Sequence, residues 1–143
     1  MAANRRTLDF SLVTPSGAAW EGQAEMTVVP GAAGEIGVLA RHAPLVAMLK
    51  AGSLRIYESV DPEDMREFAV GPGFFKVERD RAIALVDDAV AAREIDPERA
   101  QRQLEEARAE LDRIERGESA ADRWQVEQRI RHAENQLHVV GRD

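Results

Sequence analysis

The stretch IDPERAQRQLEEARAELDRIERG, residues 95–117, decides how this chain is organised. Asp96 before Pro97 is typical of a helix start, because the carboxylate accepts from free N–H groups of the first turn and proline needs no donor there. Apolar residues then recur every three or four positions along one face, at Ala100, Leu104, Ala107, Leu111 and Ile114. Gly117 is placed to end the helix. The stretch therefore predicts a helix from Pro97 to about Arg116.

A second helix is predicted between this one and the C-terminus. Ser119 is a suitable N-cap for it. A second apolar stripe follows, at Ala120, Trp124, more weakly Ala133, and Leu137, with Ile130 slightly off register. Because both stripes are narrow, the hairpin buries little by itself. This indicates either marginal packing or a hairpin that waits for a partner surface.

Toward the N-terminus the sequence changes character near residue 91. Of the 53 residues from 91 to 143, 23 are charged, against 22 of the first 90, and eight of the ten glycines lie before residue 91. Glycine punctuates short elements, whereas dense mixed charge suits exposed helices. Short apolar runs bounded by turn signals predict strands, within residues 8–12, 26–28, 54–56, 68–70, 75–77 and 82–86. We therefore expect an all-β sandwich or barrel in residues 1–92 and a helical unit in residues 93–143.

Composition excludes several classes of function. The net charge is −7 and the arginines are interleaved with acidic residues, so nucleic acid is not an expected partner. There is no cysteine, which excludes disulfides and thiolate chemistry. No apolar run reaches the roughly 20 residues that span a bilayer, and the N-terminus does not resemble a signal peptide. We expect a soluble, acidic, cytoplasmic protein that meets a membrane only through another protein.

Signatures of catalysis are thin. The three histidines lack metal-ligand spacing, and the glycines at 31, 34 and 37 are not followed by the Lys-Ser/Thr pair of a phosphate-binding loop. No nucleophile motif is present, so no catalytic site is expected. The segment GEIGVLARHAPL, residues 34–45, is the least routine part of the first unit. On its residues alone, a long connection between two strands explains it as well as a functional loop does.

Several short motifs resemble one family. Glu35-Ile-Gly-Val followed by His42-Ala-Pro-Leu is similar to the E-[LI]-G-[IV]-x-x-x-H-x-P motif of ATP synthase epsilon subunits. Residues 12–17 are similar to that family's first strand and turn, residues 70–77 to its G-G-[FI]-x-x-V strand, and residues 95–100 to its I/L-D-x-x-R-A motif. The matches are in order and cover nearly the whole chain.

The resemblance implies an α+β fold, with an N-terminal antiparallel β-sandwich head followed by a C-terminal antiparallel two-helix hairpin. In the family the head docks on the gamma subunit and on the polar loops of the membrane c-ring. The positions that touch those loops match Glu35 and His42, with Ala43 and Pro44 beside them. The alternative is purely structural: Glu35 caps a turn and His42 satisfies buried backbone groups.

The implied function is that of a non-catalytic rotor subunit in the central stalk of a proton-translocating F-type ATP synthase, on the cytoplasmic face of the bacterial inner membrane. In the family the hairpin can extend into the catalytic hexamer and inhibit ATP hydrolysis. Arg123, Arg129 and Arg131 are candidates to meet acidic segments there, although solvated helix faces explain each arginine as well. Two alternatives stay open, a hairpin that is only a structural brace and a generic β-sandwich adaptor.

A nucleotide site is implied more weakly, and no cofactor is expected to be required. In some members the folded hairpin binds ATP through the motif matched by Ile95, Asp96, Arg99 and Ala100. Those members also carry two arginines four apart on the second helix, where our alignment places His132 and Gln136. Losing two charged contacts, each of about 1.5 to 3 kcal/mol, predicts affinity for ATP no tighter than about millimolar.

Overall fold

The computed structural model describes residues 6–141 and contains two compact units that meet between Ala91 and Ala92. The outermost residues of the two expected units, 1–5 and 142–143, lie outside this range. The first unit is built from strands and the second from helices.

The first unit contains ten described strands, and every strand predicted from the sequence lies within one of them. Their bounds are β1 Leu8–Thr14, β2 Gly17–Ala24, β3 Met26–Gly31, β4 Gly34–Leu39, β5 Leu45–Leu49, β6 Gly52–Tyr57, β7 Met65–Val70, β8 Gly73–Glu78, β9 Arg81–Val86 and β10 Ala89–Ala91. A short 3₁₀ turn at Pro62–Asp64 precedes β7. The strands are short and turn-bounded, as glycine and proline at their ends require.

The strands form two layers, which confirms the predicted sandwich. The hydrogen-bonded strands form one continuous path, β10-β7-β6-β3-β5-β8-β9-β1-β2, with β4 paired to β3 beside it. We call β4-β3-β6-β7-β10 sheet I and β5-β8-β9-β1-β2 sheet II. Strand β3 joins them, because Met26–Val28 pair with β6 whereas Gly31 pairs with Leu49 of β5. Among the described strands all pairings are antiparallel except that of β1 with β9, which is parallel.

The core lies between the two sheets. Successive side chains of a strand point to opposite faces, so alternate residues enter the core. Leu8, Phe10 and Leu12 of β1 follow this rule from sheet II. The other buried apolar members of the same cluster are Ala24, Val29, Val38, Leu49, Leu54, Ile56, Phe68, Val70, Phe75, Val77, Ala82, Ala84 and Val86.

Residues 34–45 do not form one long connection between two strands, so the interpretation of the whole segment as a connection is wrong. Gly34–Leu39 form β4, which pairs with β3 along its whole length. Ile36 and Val38 turn inward, and Val38 is completely buried. Glycines at 34 and 37 lower the apparent strand propensity of the segment, yet the neighbouring strand supplies a full hydrogen-bonding partner. The true connection is residues 40–44.

The first helix, α1, runs from Pro97 to Glu115 and follows the prediction closely. The Asp96 carboxylate accepts from the backbone N–H groups of Glu98 and Arg99. Gly117 has φ +74, and its N–H and that of Glu118 bond back to carbonyls of the last turn. The predicted stripe is confirmed, with Ala100, Leu104 and Ala107 buried and Leu111 and Ile114 half-buried.

The second helix, α2, runs from Arg123 to Val140 and begins later than predicted. Its N-cap is Asp122 rather than Ser119, because the Ser119 hydroxyl accepts from Ala121 N–H within the preceding turn and donates to Glu110. The predicted start of the second stripe is therefore wrong: Ala120 precedes the helix and Trp124 is 62% exposed. The buried positions of α2 are Val126, Ala133 and Val139.

Candidate functional site

The outer face of sheet II carries a row of apolar side chains. Strand register places Met48 beside Phe74, Phe74 beside Leu85, and Leu85 beside Val13, so the row crosses β5, β8, β9 and β1. Met48 is 64% exposed and Leu85 44% exposed, and Val46 extends the row along β5. We call Val13, Val46, Met48, Phe74 and Leu85 the apolar row. A contiguous exposed apolar surface of this kind is a candidate interaction site.

A shallow polar groove borders the apolar row on the same face. Its charged members have both signs, and they come from the ends of β8, β9 and β1. The lining residues are Asp9, Ser11, Lys76, Glu78, Arg79, Arg81, Ala82 and Ile83. An apolar centre with a charged rim is the usual composition of a protein–protein interface.

The apolar row was not predicted from the sequence. Its signal lies in adjacent apolar residues within a strand, such as Phe74-Phe75 and Leu85-Val86, which make both faces of the strand apolar. A strand that is apolar on both faces is covered on both faces. Val46 and Met48 were missed because β5 itself was not predicted from the sequence.

Glu35 lies on the outer face of sheet I and forms an ion pair. Arg55 Nη1 is 3.2 Å from Glu35 Oε2, and Nη2 donates to Oε1 at 3.4 Å. Burial by itself lowers the pKa of the Arg55 guanidinium, but hydrogen bonds to Tyr57 and Glu35 outweigh it and the net pKa is raised. Arg55 thus stays charged and orients the Glu35 carboxylate. Glu35 lies within β4 opposite Pro30, so it does not cap a turn.

His42 lies in the connection between β4 and β5, with Ala43 and Pro44 exposed beside it. Its backbone N–H donates to Leu39 O at 3.2 Å, which closes a turn. Its Nδ1 is 2.7 Å from Ala43 O, a geometry in which Nδ1 carries the proton and donates. A partner would therefore meet the ring through Nε2. Ala43 is exposed, so this bond does not satisfy a buried carbonyl.

The structure does not bring Glu35 and His42 together. They have separate hydrogen-bond partners, and Leu39, which precedes the His42 connection, lies four residue steps along β4 from Glu35, roughly 13 Å of strand. Glu35 and His42 are therefore two separate candidate contacts.

The three candidate arginines of α2 are exposed, but they differ in their contacts. Arg123 lies 3.2 Å from Glu115 of α1 and 3.6 Å from Glu127, so it braces the hairpin. Arg131 donates to the Gln128 side chain at 2.9 Å. Arg129 lies near Glu110, whose pKa is lowered first by the Ser119 hydrogen bond, then by Arg113, and further by Arg129.

The residues of the nucleotide motif surround the start of α1. Ile95 and Ala100 are buried, whereas Asp96 and Arg99 are exposed. Oδ1 of Asp96 accepts from Glu98 N at 3.0 Å and from Arg99 N at 3.3 Å, so this atom is occupied as a helix cap. Only Oδ2 is left to meet an adenine amino group. His132 and Gln136 lie one turn apart on α2, as the alignment requires.

The described residues form neither a metal site nor a membrane-spanning helix. Within residues 6–141, no group of three or more His, Cys, Asp or Glu side chains is arranged to hold a metal ion. None of the described helices is long and apolar enough to cross a membrane.

Comparison with known proteins gives a β-sandwich family for the first unit, in agreement with its observed fold. Residues 7–92 match the family model described as ATP synthase, Delta/Epsilon chain, beta-sandwich domain. The chain is 34% identical to the ATP synthase epsilon chain of Rubrobacter xylanophilus, over 99% of this chain and 97% of that one. It is 42% identical to the epsilon chain of Persephonella marina, over 74% of this chain and 76% of that one.

A solved structure shares the fold. The match is to a chain in the Euglena gracilis mitochondrial ATP synthase structure that includes OSCP, F1 and the c-ring, with a TM-score of 0.63. It covers 94% of this chain and 78% of that chain at 22% identity. At 22% identity this similarity is evidence for the fold alone.

Proposed function

Because this chain belongs to the family of ATP synthase epsilon chains, we propose that it is the central-stalk epsilon subunit of a bacterial F-type ATP synthase and couples c-ring rotation to ATP synthesis. The subunit has no catalytic site of its own. It lies peripherally on the cytoplasmic face of the inner membrane and reaches that membrane only through the complex.

The apolar row is the observation that carries this proposal, and its occupant is the gamma subunit. The exposed side chains of Met48, Phe74 and Leu85 form one surface across three neighbouring strands. Covering such a surface removes apolar area from water, which stabilises a complex by about 25 cal/mol per Å² before the costs of association. The charged groove beside the row supplies a polar rim that sets register.

Affinity capture of gamma by the full-length chain tests the proposal. We expect a one-to-one complex that survives high salt, because apolar burial is not screened by ions. Replacing Met48 and Leu85 together by Asp is expected to weaken capture by about tenfold or more. Val60→Asp is the matched control, since Val60 is 83% exposed but lies in the loop after β6.

Two results would count against it. A tagged wild-type chain that recovers no gamma from lysate contradicts the rotor assignment. Unchanged capture by the Met48/Leu85 variant would instead move the docking surface away from sheet II.

The polar loops of the c-ring are proposed to meet Glu35 and the His42 connection. The Arg55 ion pair does not prevent this, because an exposed pair contributes only about 0 to 1 kcal/mol and can be exchanged for another. Glu35→Ala combined with His42→Ala should reduce proton-driven ATP synthesis while capture of gamma is retained. ATP synthesis at the wild-type rate in that double variant would remove this part of the proposal.

The hairpin is proposed to inhibit ATP hydrolysis by extending toward the catalytic hexamer, with Arg129 and Arg131 presented to acidic segments there. Its narrow, partly alanine-lined stripe supports this, since such a surface exchanges one packing partner for another at small net cost. Arg123 is the weakest candidate of the three because its ion pairs brace the hairpin. The competing function of the hairpin is a brace without inhibition.

ATP binding is proposed to be weak and not required. Asp96 Oδ1 is occupied as a helix cap, and the positions of the two phosphate-binding arginines hold His132 and Gln136. Isothermal titration of the isolated subunit should therefore give a dissociation constant of about millimolar or weaker. A micromolar constant that is lost in Arg99→Ala would overturn this.

A further inference from the structure

Backbone strain is concentrated in two neighbouring connections of the first unit. Among the described residues, three that are not glycine have positive φ: Arg41 at 66°, Arg79 at 53° and Asp80 at 59°. Arg41 directly precedes His42, and Arg79 and Asp80 are the two turn residues between β8 and β9. Side chains disfavour this region of backbone space, and residues held there cluster at functional sites.

The register of sheet II places these two connections side by side. Leu45, at the start of β5, pairs with Val77, near the end of β8. The residues before Leu45 therefore run beside the turn that follows Glu78. Arg79 and Asp80 form a two-residue turn with both φ values positive, the type that matches the twist of a hairpin.

A hydrogen bond joins the two connections. Oδ1 of Asp80 accepts from the backbone N–H of Arg41 at 2.5 Å, across 39 residues of sequence. The backbone carbonyl of Asp80 accepts from Asp9 N–H at 2.8 Å. Asp80 is thus fixed to β1 through its backbone and holds Arg41 through its side chain.

This bond bears directly on the direction of His42. The side chain of Arg41 disfavours the left-handed backbone conformation. The charge-assisted hydrogen bond from its N–H to Asp80 stabilises that conformation. A change of the Arg41 dihedrals would reorient the next residue and break the His42 N–H to Leu39 O turn. We propose that Asp80 is a positioning residue that fixes the Arg41-His42 turn and so presents His42 to its polar-loop partner; this rests on the function proposed above for His42.

Three variants separate the acceptor from the backbone of the turn. Asp80→Gly removes the acceptor but adopts positive φ freely, so the β8–β9 turn is kept. Asp80→Asn keeps an oxygen acceptor and tolerates positive φ. Arg79→Gly is the matched control for hydrogen exchange in the free subunit, since it changes the neighbouring residue of the same turn and leaves the Asp80 carboxylate in place.

The first measurement is amide hydrogen exchange of the full-length subunit. We expect Arg41 N–H to exchange about tenfold faster or more in Asp80→Gly, the change that loss of one hydrogen bond to a charged acceptor produces. Asp80→Asn and Arg79→Gly should stay near the wild-type rate. Unchanged Arg41 exchange in Asp80→Gly overturns the proposal at its first step.

The second measurement is proton-driven ATP synthesis by the assembled enzyme in membranes. Asp80→Gly is expected to reduce the rate toward that of His42→Ala, with Asp80→Asn restoring it. In the His42→Ala background Asp80→Gly should have no further effect, because a residue that acts through another is silent once the other is absent. Additive losses in the double variant would show that Asp80 acts by another route.

The outcomes also separate this proposal from the one on which it rests. If His42→Ala impairs synthesis and Asp80→Gly does not, the positioning role is wrong and the His42 contact stands. If Glu35→Ala with His42→Ala leaves synthesis unchanged, the His42 contact fails and the positioning role fails with it.

Discussion

The two units of this chain bury different kinds of side chain. The sandwich encloses Phe10, Phe68 and Phe75 among leucines, valines and isoleucines, drawn from strands far apart in sequence. The buried positions of the helices are mostly small, with Leu104 the largest. Buried apolar area sets most of the stabilisation. The sandwich is therefore expected to be the stable unit and the hairpin the one that opens, so stability and mobility are divided between two parts of one short chain.

Removing the hairpin is the largest test of this division. Because the core cluster is drawn entirely from residues 8–86, a chain truncated after Ala92 should fold and still capture gamma. Under the proposed inhibition, ATP hydrolysis by the assembled enzyme should rise several-fold. The measurement is the membrane ATPase rate with and without residues 93–143. An unchanged rate in well-coupled membranes would favour the brace.

Matched core truncations sharpen the comparison. Phe75→Ala should destabilise the sandwich by about 3–5 kcal/mol, the usual cost of removing a buried phenylalanine. Leu104→Ala should cost about 2 kcal/mol, the lower end for leucine, because its neighbours Ala100 and Ala107 are small. Denaturation monitored by amide exchange measures both. Loss of protection throughout the sandwich in Leu104→Ala would show that the two units do not unfold separately.

A smaller effect is expected at the helix cap. Asp96→Ala removes the acceptor for Glu98 and Arg99 N–H and should destabilise α1 by about 1 kcal/mol. Asp96→Asn keeps an acceptor and should recover most of the loss. Amide exchange in the first turn of α1 reports the change, which should not reach β1. Unchanged amide exchange in the first turn of α1 in Asp96→Ala would contradict the capping role of this carboxylate.

The smallest predicted effect is a pH dependence at the tip of the hairpin. The Ser119 hydrogen bond, followed by Arg113, lowers the pKa of Glu110 below its usual 4.5. A lowered pKa means that this stabilisation is complete above the unfolded value and is lost as the pH falls through the folded one. Protection of the amides near residues 117–121, taken relative to the intrinsic exchange rate at each pH, should therefore be lost only as the pH falls below the usual 4.5, and Glu110→Gln should remove that step. A loss of protection that persists in Glu110→Gln would assign it to another group.

Sequence patterns predicted most of the elements for identifiable reasons. Asp96-Pro97 and Gly117 are local signals that the backbone obeys, so α1 was predicted almost to the residue. The start of α2 was misplaced because Ser119 and Asp122 are both suitable caps, and only the Ser119–Glu110 contact decides between them. Strand β4 was not predicted because Gly34 and Gly37 lower its strand propensity. Its hydrogen bonds to β3 stabilise it as a strand nonetheless.

In the candidate site, too, local features were predicted from the sequence and long-range contacts were not. Glu35 and His42 were found by their motif, which is a local property of the sequence. The Asp80 contact with Arg41 joins residues 39 positions apart, and the apolar row combines four strands. Such contacts depend on how distant strands pair with one another, and a short stretch of sequence does not determine that pairing.

The parallel pairing of β1 with β9 also constrains how the chain is made. Asp9 pairs with Arg81 and Val13 with Leu85, so β1 must wait for β9, the last strand of sheet II to be synthesised. Until β9 is made, β1 lacks that neighbour in sheet II, and the edge of β1 that pairs with it stays open. Pairing between distant segments is slow, and exposed apolar strands are prone to associate wrongly. A nascent chain of this protein is thus most in need of chaperone protection while β9 is still being synthesised.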